Sequence, residues 1–127
     1  MNVGDQKSFS VRARSFWNDS GIDLAAGGIY QFSARRTWTD FFISCGPAGY
    51  SGLSYQNKLG SSLRLPREKW FALCGALDRN GQTAFVIGES CRYTAEAAGR
   101  LYCFANDVPG WYWNNFGSVE VIATRLA

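Results

Sequence analysis

The sequence predicts an all-β fold: a single-domain antiparallel β-sandwich spanning residues 1–127. Apolar and polar residues alternate over short runs, turn residues separate those runs at close intervals, and no long segment keeps a helical period. Hydrophobic residues make up 46% of the chain and aromatic ones 16%, enough apolar surface for a packed core rather than a disordered coil. About 7–9 strands are expected.

The elements follow in order. In "KSFSVRARSF", Phe9, Val11 and Ala13 alternate with Ser8, Ser10, Arg12 and Arg14, the pattern of a half-buried strand. Asn18, Asp19, Ser20 and Gly21 read as a turn, followed by Ile22 and Leu24 two residues apart. Gly27-Gly28 turns the chain into "GIYQFSARRTW", a strand with Ile29, Phe32, Ala34 and Trp38 on its core side and one bulge. Cys45 to Ser62 is loop-like, with Gly, Ser, Pro and Asn throughout; loops this long in small domains are usually functional or mobile. "WFALCGAL" and "TAFVIGES" form a hairpin whose turn is placed at Asn80-Gly81, two residues that tolerate positive φ. "TAEAAGRL" is the only helix-like piece, and Gly99 argues against it. "RLYCFAND" and "SVEVIATRL" are the last strands.

Composition narrows the functional classes. The net charge is only +3, and Arg12, Arg14, Arg35, Arg36, Arg64, Arg67, Arg100 and Arg125 are scattered rather than forming a stripe along a phosphate backbone. No nucleic-acid partner is expected. No apolar run reaches the roughly 18 residues of a membrane span. The start lacks the basic-then-apolar order of a signal peptide, so the expected location is cytoplasmic unless another export route acts. The chain has no histidine, which removes Ser-His-Asp and Cys-His catalysis. Cys45, Cys74, Cys91 and Cys103 show no C-x-x-C spacing, which argues against zinc and thioredoxin-like chemistry. They allow two disulfides or buried free thiols, and the missing signal favours thiols.

The chemistry concentrates in "NDVPGWYWNNFG", Asn106 to Gly117, between the last two strands. Asp107 offers a carboxylate, and Asn114 and Asn115 offer amide oxygens. Pro109 and Gly110 bend the backbone so that its carbonyls can turn inward. An oxygen-only donor set suits calcium rather than a transition metal. The same residue types also make Asx-turns that only satisfy the backbone, and composition leaves both readings open. Trp38 reads as core and Trp17 and Trp70 as partly buried. Trp111 and Trp113 are candidates for stacking on a sugar ring, and Tyr50 and Tyr55 are weaker candidates for a pocket rim. A glycosidase needs two carboxyl groups across a cleft. Asp40 and Asp107 could meet, but a calcium-bound carboxylate is a poor proton donor, so no enzymatic activity is expected.

Through "NDVPGWYWNNFGS", Asn106 to Ser118, the chain resembles the PA-I-like galactophilic lectins, small calcium-dependent sugar-binding β-sandwiches of bacteria. Their loop has the form Asn-Asp-Val-Pro-Gly-x-Tyr-x-Asn-Asn-x-Gly-Ser. "GIYQFSARRTWTD" and "CGALDRNGQTAFVIGE" agree in order, so the resemblance runs from about residue 9 to residue 124. It implies a galactose-binding-domain-like sandwich with calcium as cofactor. The ion would be held by the side chains of Asp107, Asn114 and Asn115 and by the backbone carbonyls of Phe41 and Trp111. Asp107 and Asn114 would also hold two sugar hydroxyls, with Val108 contacting the sugar through its backbone. Asp40, Phe41, Cys74, Trp111 and Trp113 complete the expected sugar-binding set. The implied partners are galactose-type or related glycans, and the implied assembly is a homo-oligomer.

Two departures stand out. Trp111 replaces the family's threonine, which a ligand acting through its backbone tolerates. The family's His-Pro-x-Gln pocket segment has no counterpart, and Leu65-Pro66 stands in that region. Galactosides are therefore the first ligands to try, with simple galactose weak. The alternative is a structural or assembly β-sandwich that keeps the loop and binds no sugar.

Overall fold

The alternating segments pair into two antiparallel sheets. A computed structural model describes residues 1–127 except the side chain of Tyr55, so the expected place of Tyr55 at a pocket rim lies outside the described residues. The first sheet runs β5 (Ile43–Cys45), β4 (Trp38–Asp40), β10 (Asn115–Arg125), β3 (Ile29–Arg35) and β8 (Ser90–Thr94), with β1 (Gln6–Arg12) also paired to β10. The second runs β2 (Asn18–Leu24), β9 (Gly99–Ala105), β6 (Leu73–Leu77) and β7 (Phe85–Val86). The ten strands among the described residues slightly exceed the expected number and make an all-β sandwich.

Strand β10 is the spine, 11 residues long. Its period of two buries Val119, Val121 and Ala123. It pairs with β1 from Ser118 to Thr124, with β3 from Glu120 to Arg125, and with β4 from Asn115 to Gly117. The last pairing sets Asp40 opposite Asn115, which brings two distant polar residues to one end of the sheet.

The two sheets close on a core that includes Val11, Ile22, Leu24, Tyr30, Phe32, Trp38, Phe71, Leu73, Leu101, Val119 and Val121. Trp38 meets Phe71 edge to face at 5.6 Å between centroids. Burial of each large apolar side chain contributes roughly 1.5–3 kcal/mol, so this core carries most of the favourable free energy of folding.

Several expectations are corrected by long-range contacts. Asn18 to Gly21 is not a turn but the start of β2, with a register shift between Asp19 and Asp23. The Asn18 side chain is recruited into the sheet, accepting from Arg12 N (2.9 Å) and donating to Arg12 O and Cys103 O (both 3.1 Å). The run read as one bulged strand from Ile29 to Trp38 is two strands, broken at Arg36 with φ 80°. In the β6–β7 hairpin, positive φ falls at Asp78 and Arg79 rather than at Asn80. The Asn80 side chain instead accepts from Gln82 N at 3.0 Å and caps a 3₁₀ turn, Gly81–Thr83. "TAEAAGRL" forms no helix. At Gly99, the first residue of β9, a Cβ would lie 2.9 Å from the Asp78 carboxylate. The long loop carries one helical turn, α1 (Ser54–Asn57), and a 3₁₀ turn, Gly60–Ser62. All four cysteines are free thiols. No described helix is long and apolar enough to cross a membrane.

Candidate cation and ligand site

The segment joining β9 to β10 is tied down at its base. Asn106 is fully buried: its side chain accepts from Leu65 N (2.9 Å) and donates to Leu65 O and Lys69 O (both 3.0 Å). Its backbone carbonyl accepts from Phe71 N at 2.8 Å. Gly110, at φ 90°, supports the turn that Trp111 N closes on Val108 O at 3.0 Å. Tyr112 is buried under the loop, donating its hydroxyl proton to Ala105 O and accepting from Arg64. The loop is therefore a rigid platform.

On that platform Asp107 is 1% exposed. Its Oδ1 accepts from Val108 N at 2.8 Å, and its Oδ2 accepts from Asn115 Nδ2 at 2.9 Å. The same Asn115 nitrogen donates to Ala13 O at 3.1 Å. With its amide nitrogen doubly engaged, Asn115 has its orientation fixed, and its Oδ1 is left buried without a partner. Asn114 Oδ1 is buried and unpartnered as well. Among the described residues the only other such side-chain atom is Trp38 Nε1.

An unsatisfied buried polar group costs about 1–3 kcal/mol, so two such carbonyls on adjacent residues, one of which bonds a buried carboxylate, call for an explanation. Burial pushes Asp107 up to about 7, despite the hydrogen bonds from Asn115 and Val108 that oppose the shift. This corner lacks positive charge. A hard, oxygen-preferring cation would engage the idle carbonyls and neutralise the carboxylate at once, so the residues present fit calcium. No group of three or more His, Cys, Asp and Glu side chains able to hold a metal occurs among the described residues. The donors here are mainly amide oxygens, a set that suits calcium better than zinc.

Strand β4 supplies the rest of the site. Phe41 lies just past its end with φ 58°, a left-handed conformation unusual for a bulky residue and worth about 1–3 kcal/mol of strain. Its amide donates to Asn114 O at 3.0 Å, which seats it against the loop. Asp40 is 7% exposed, and burial raises its pKa even though Tyr50 opposes the shift by donating to Oδ2. Gln56 Nε2 also reaches Oδ2, at 3.4 Å. A cavity of about 230 Å³ opens here, lined by Asp40, Phe41, Ile43, Gln56, Trp111, Trp113 and Asn114.

Five residues expected at the site, Asp40, Phe41, Trp111, Trp113 and Asn114, thus share one cavity, while Asp107, Val108 and Asn115 do not line it and are instead joined to one another by hydrogen bonds to the Asp107 carboxylate. Trp113 is 66% exposed and Trp111 37%, so both offer ring surface. Cys74 is not brought to the cavity. It is fully buried in β6 beside Ala76 and Phe104, and its thiol donates to Ala72 O at 3.4 Å. Burial pushes that thiol up to about 12, and a sealed, neutral thiol offers a ligand nothing. Leu65 packs near the same cluster and does not line the cavity either. Gln56 and Ile43 were missed by sequence reasoning. Gln56 accepts from Leu53 N (2.7 Å) at the start of α1, but with leucine at the N-cap position the sequence carries no capping-box signal for it.

No protein-family model matches the sequence, and no curated protein matches it. A solved structure described as the EclA N-terminal domain, a PllA-like lectin, aligns with a TM-score of 0.69 over 93% of this chain and 94% of that chain, at 22% sequence identity. At that identity the likeness shows the fold alone, a lectin-like β-sandwich, and does not single out the PA-I-like family.

Proposed function

We propose that the protein is a calcium-dependent carbohydrate-binding lectin. The observation that carries this reading is the pair of buried, unpartnered carbonyls of the adjacent residues Asn114 and Asn115, the latter hydrogen-bonded to the buried Asp107 carboxylate. Asp107, Asn114 and Asn115 hold the ion through their side chains, with the backbone carbonyls of Phe41 and Trp111 completing the set. Calcium, when bound, supplies the positive charge that draws ligand hydroxyl oxygens. Asp107 and Asn114 accept hydrogen bonds from two adjacent hydroxyls, and the Val108 backbone lies beside them. Phe41, Trp111 and Trp113 pack on the C–H faces of the sugar or on an aglycone and keep water from the contact. The lectin fold of the solved structure supports the same reading.

Galactosides are the proposed ligands, with simple galactose weak because no histidine is available to meet its far side. A homo-oligomer is proposed as well, since weak single-site affinity gains from multivalency. Light scattering at micromolar concentration should then give a mass above that of one chain. The deciding experiment pairs calcium calorimetry with a glycan array read with and without chelator. Calcium-dependent glycan signals are expected. Calcium binding with no glycan signal would favour a structural or assembly role, and glycan binding indifferent to chelator would remove calcium from the site.

A further inference from the structure

Asp40 is the one carboxylate in the cavity lining, and the proposed calcium shell does not use it. Both contacts of its Oδ2 are donors, the Tyr50 hydroxyl and the Gln56 amide nitrogen. The two donors are themselves joined, Gln56 Nε2 donating to the Tyr50 oxygen at 2.6 Å. Gln56 Oε1 accepts from Leu53 N at 2.7 Å, which fixes which end of the amide points at Asp40. The carboxylate is thus held by one oxygen. Its other oxygen, Oδ1, has no hydrogen-bond partner among the described residues and is not sealed in, because Asp40 lines the cavity. No lysine or arginine lines that cavity, and none of the ion pairs among the described residues involves Asp40.

We infer that Asp40, held by Tyr50 and Gln56, is the specificity-determining acceptor of this pocket, taking a hydrogen bond from a ligand donor outside the hydroxyl pair held at Asp107 and Asn114. The inference rests on the lectin reading and narrows it. The ligand class is pyranosides that present a hydroxyl or ammonium group at that further position. A ligand that is deoxygenated or O-methylated there leaves a buried acceptor empty, at a cost of roughly ten- to hundredfold in affinity. Tyr50 and Gln56 are positioning residues: they touch Asp40, and Tyr50 is not part of the cavity lining.

The test uses wild type, Asp40→Asn and Tyr50→Phe. Each is read on an array of immobilised neutral and amino-substituted galactosides, glucosides and mannosides, with calcium and with chelator, and calcium affinity is measured in parallel by calorimetry. Monodeoxy derivatives of the best-bound methyl glycoside follow. One monodeoxy derivative, at a position distinct from the calcium-dependent pair, should bind wild type about tenfold or more worse than its parent. Asp40→Asn should lose that discrimination while keeping its calcium affinity, because a coupled pair shows its interaction only while both partners are present. Tyr50→Phe should show a smaller loss at the same position. If Asp40→Asn weakens the parent and every derivative by one common factor, or weakens calcium itself, Asp40 is a structural residue or a cation ligand and the inference fails while the lectin reading stands. If wild type binds calcium but no glycan, the lectin reading fails and this inference goes with it.

Discussion

A half-buried cation and a buried carboxylate sit at opposite ends of the segment from Arg64 to Asp107, and they are treated in opposite ways. The Arg64 guanidinium lies over the rings of Phe104 (3.4 Å to the centroid), Phe16 (3.8 Å) and Trp17 (4.4 Å). One of its nitrogens donates to Phe16 O and to the Tyr112 hydroxyl. Burial lowers its pKa, and Tyr112 opposes that shift. Rings and oxygens thus meet the cation, and the cluster is complete within the chain. The Asp107 corner is buried, yet it keeps two carbonyls idle and a carboxylate short of positive charge. A polar cluster that closes on itself is architecture. One that stays unsatisfied behind a cavity points to something that arrives from outside.

The sharpest way to break this contrast is at Asp107. Asp107→Ala removes the only carboxylate of the proposed ion shell and should weaken calcium binding by about 3 kcal/mol or more, roughly a hundredfold. Unchanged calorimetry would mean that the idle carbonyls have another explanation. Arg64→Ala should behave differently, lowering stability by about 2–3 kcal/mol in urea titration with or without calcium, since its partners are all internal. A loss that calcium rescues selectively would place Arg64 in the binding machinery.

The folded-state pKa of Asp107 is raised from 3.8 to about 7, so its contribution to stability is present below 3.8 and is lost as the pH rises through about 7. In chelator, thermal or urea unfolding should therefore show a protein less stable at pH 8 than at pH 5, by about 2 kcal/mol from this group. Saturating calcium should flatten or reverse that slope, because the ion binds the deprotonated form. A slope that calcium leaves untouched would count against Asp107 as its ligand. The smallest effect belongs to the exposed rim. Trp113→Ala should leave calcium affinity alone and weaken glycan binding by about 0.5–1.5 kcal/mol, measured by titration with the best array ligand. No change would remove the Trp113 ring from the proposed glycan contact.

Much of this was legible in the linear chain, for a physical reason. The strands β1 and β10 follow from alternation, and the loop chemistry follows from residues packed into one short stretch, Asn106 to Asn115. In both cases the determining neighbours are close in sequence, and steric period and turn chemistry act over a few residues. Other features needed partners from far away. Asn115 owes its orientation to Asp107 and to Ala13, the latter 102 positions distant, and with its amide nitrogen engaged by both its carbonyl is left idle. Gln56 reaches Asp40 across 16 positions through a loop whose sequence shows no period. Cys74 matched a pocket position in order along the chain, yet β6 is buried along its whole length and the thiol never meets the cavity. The sequence by itself determined which elements form and which atoms could ligate an ion. The packing of two sheets decided which of those atoms end up unsatisfied and which are sealed away, because a hydrogen bond is local in space and not in the chain.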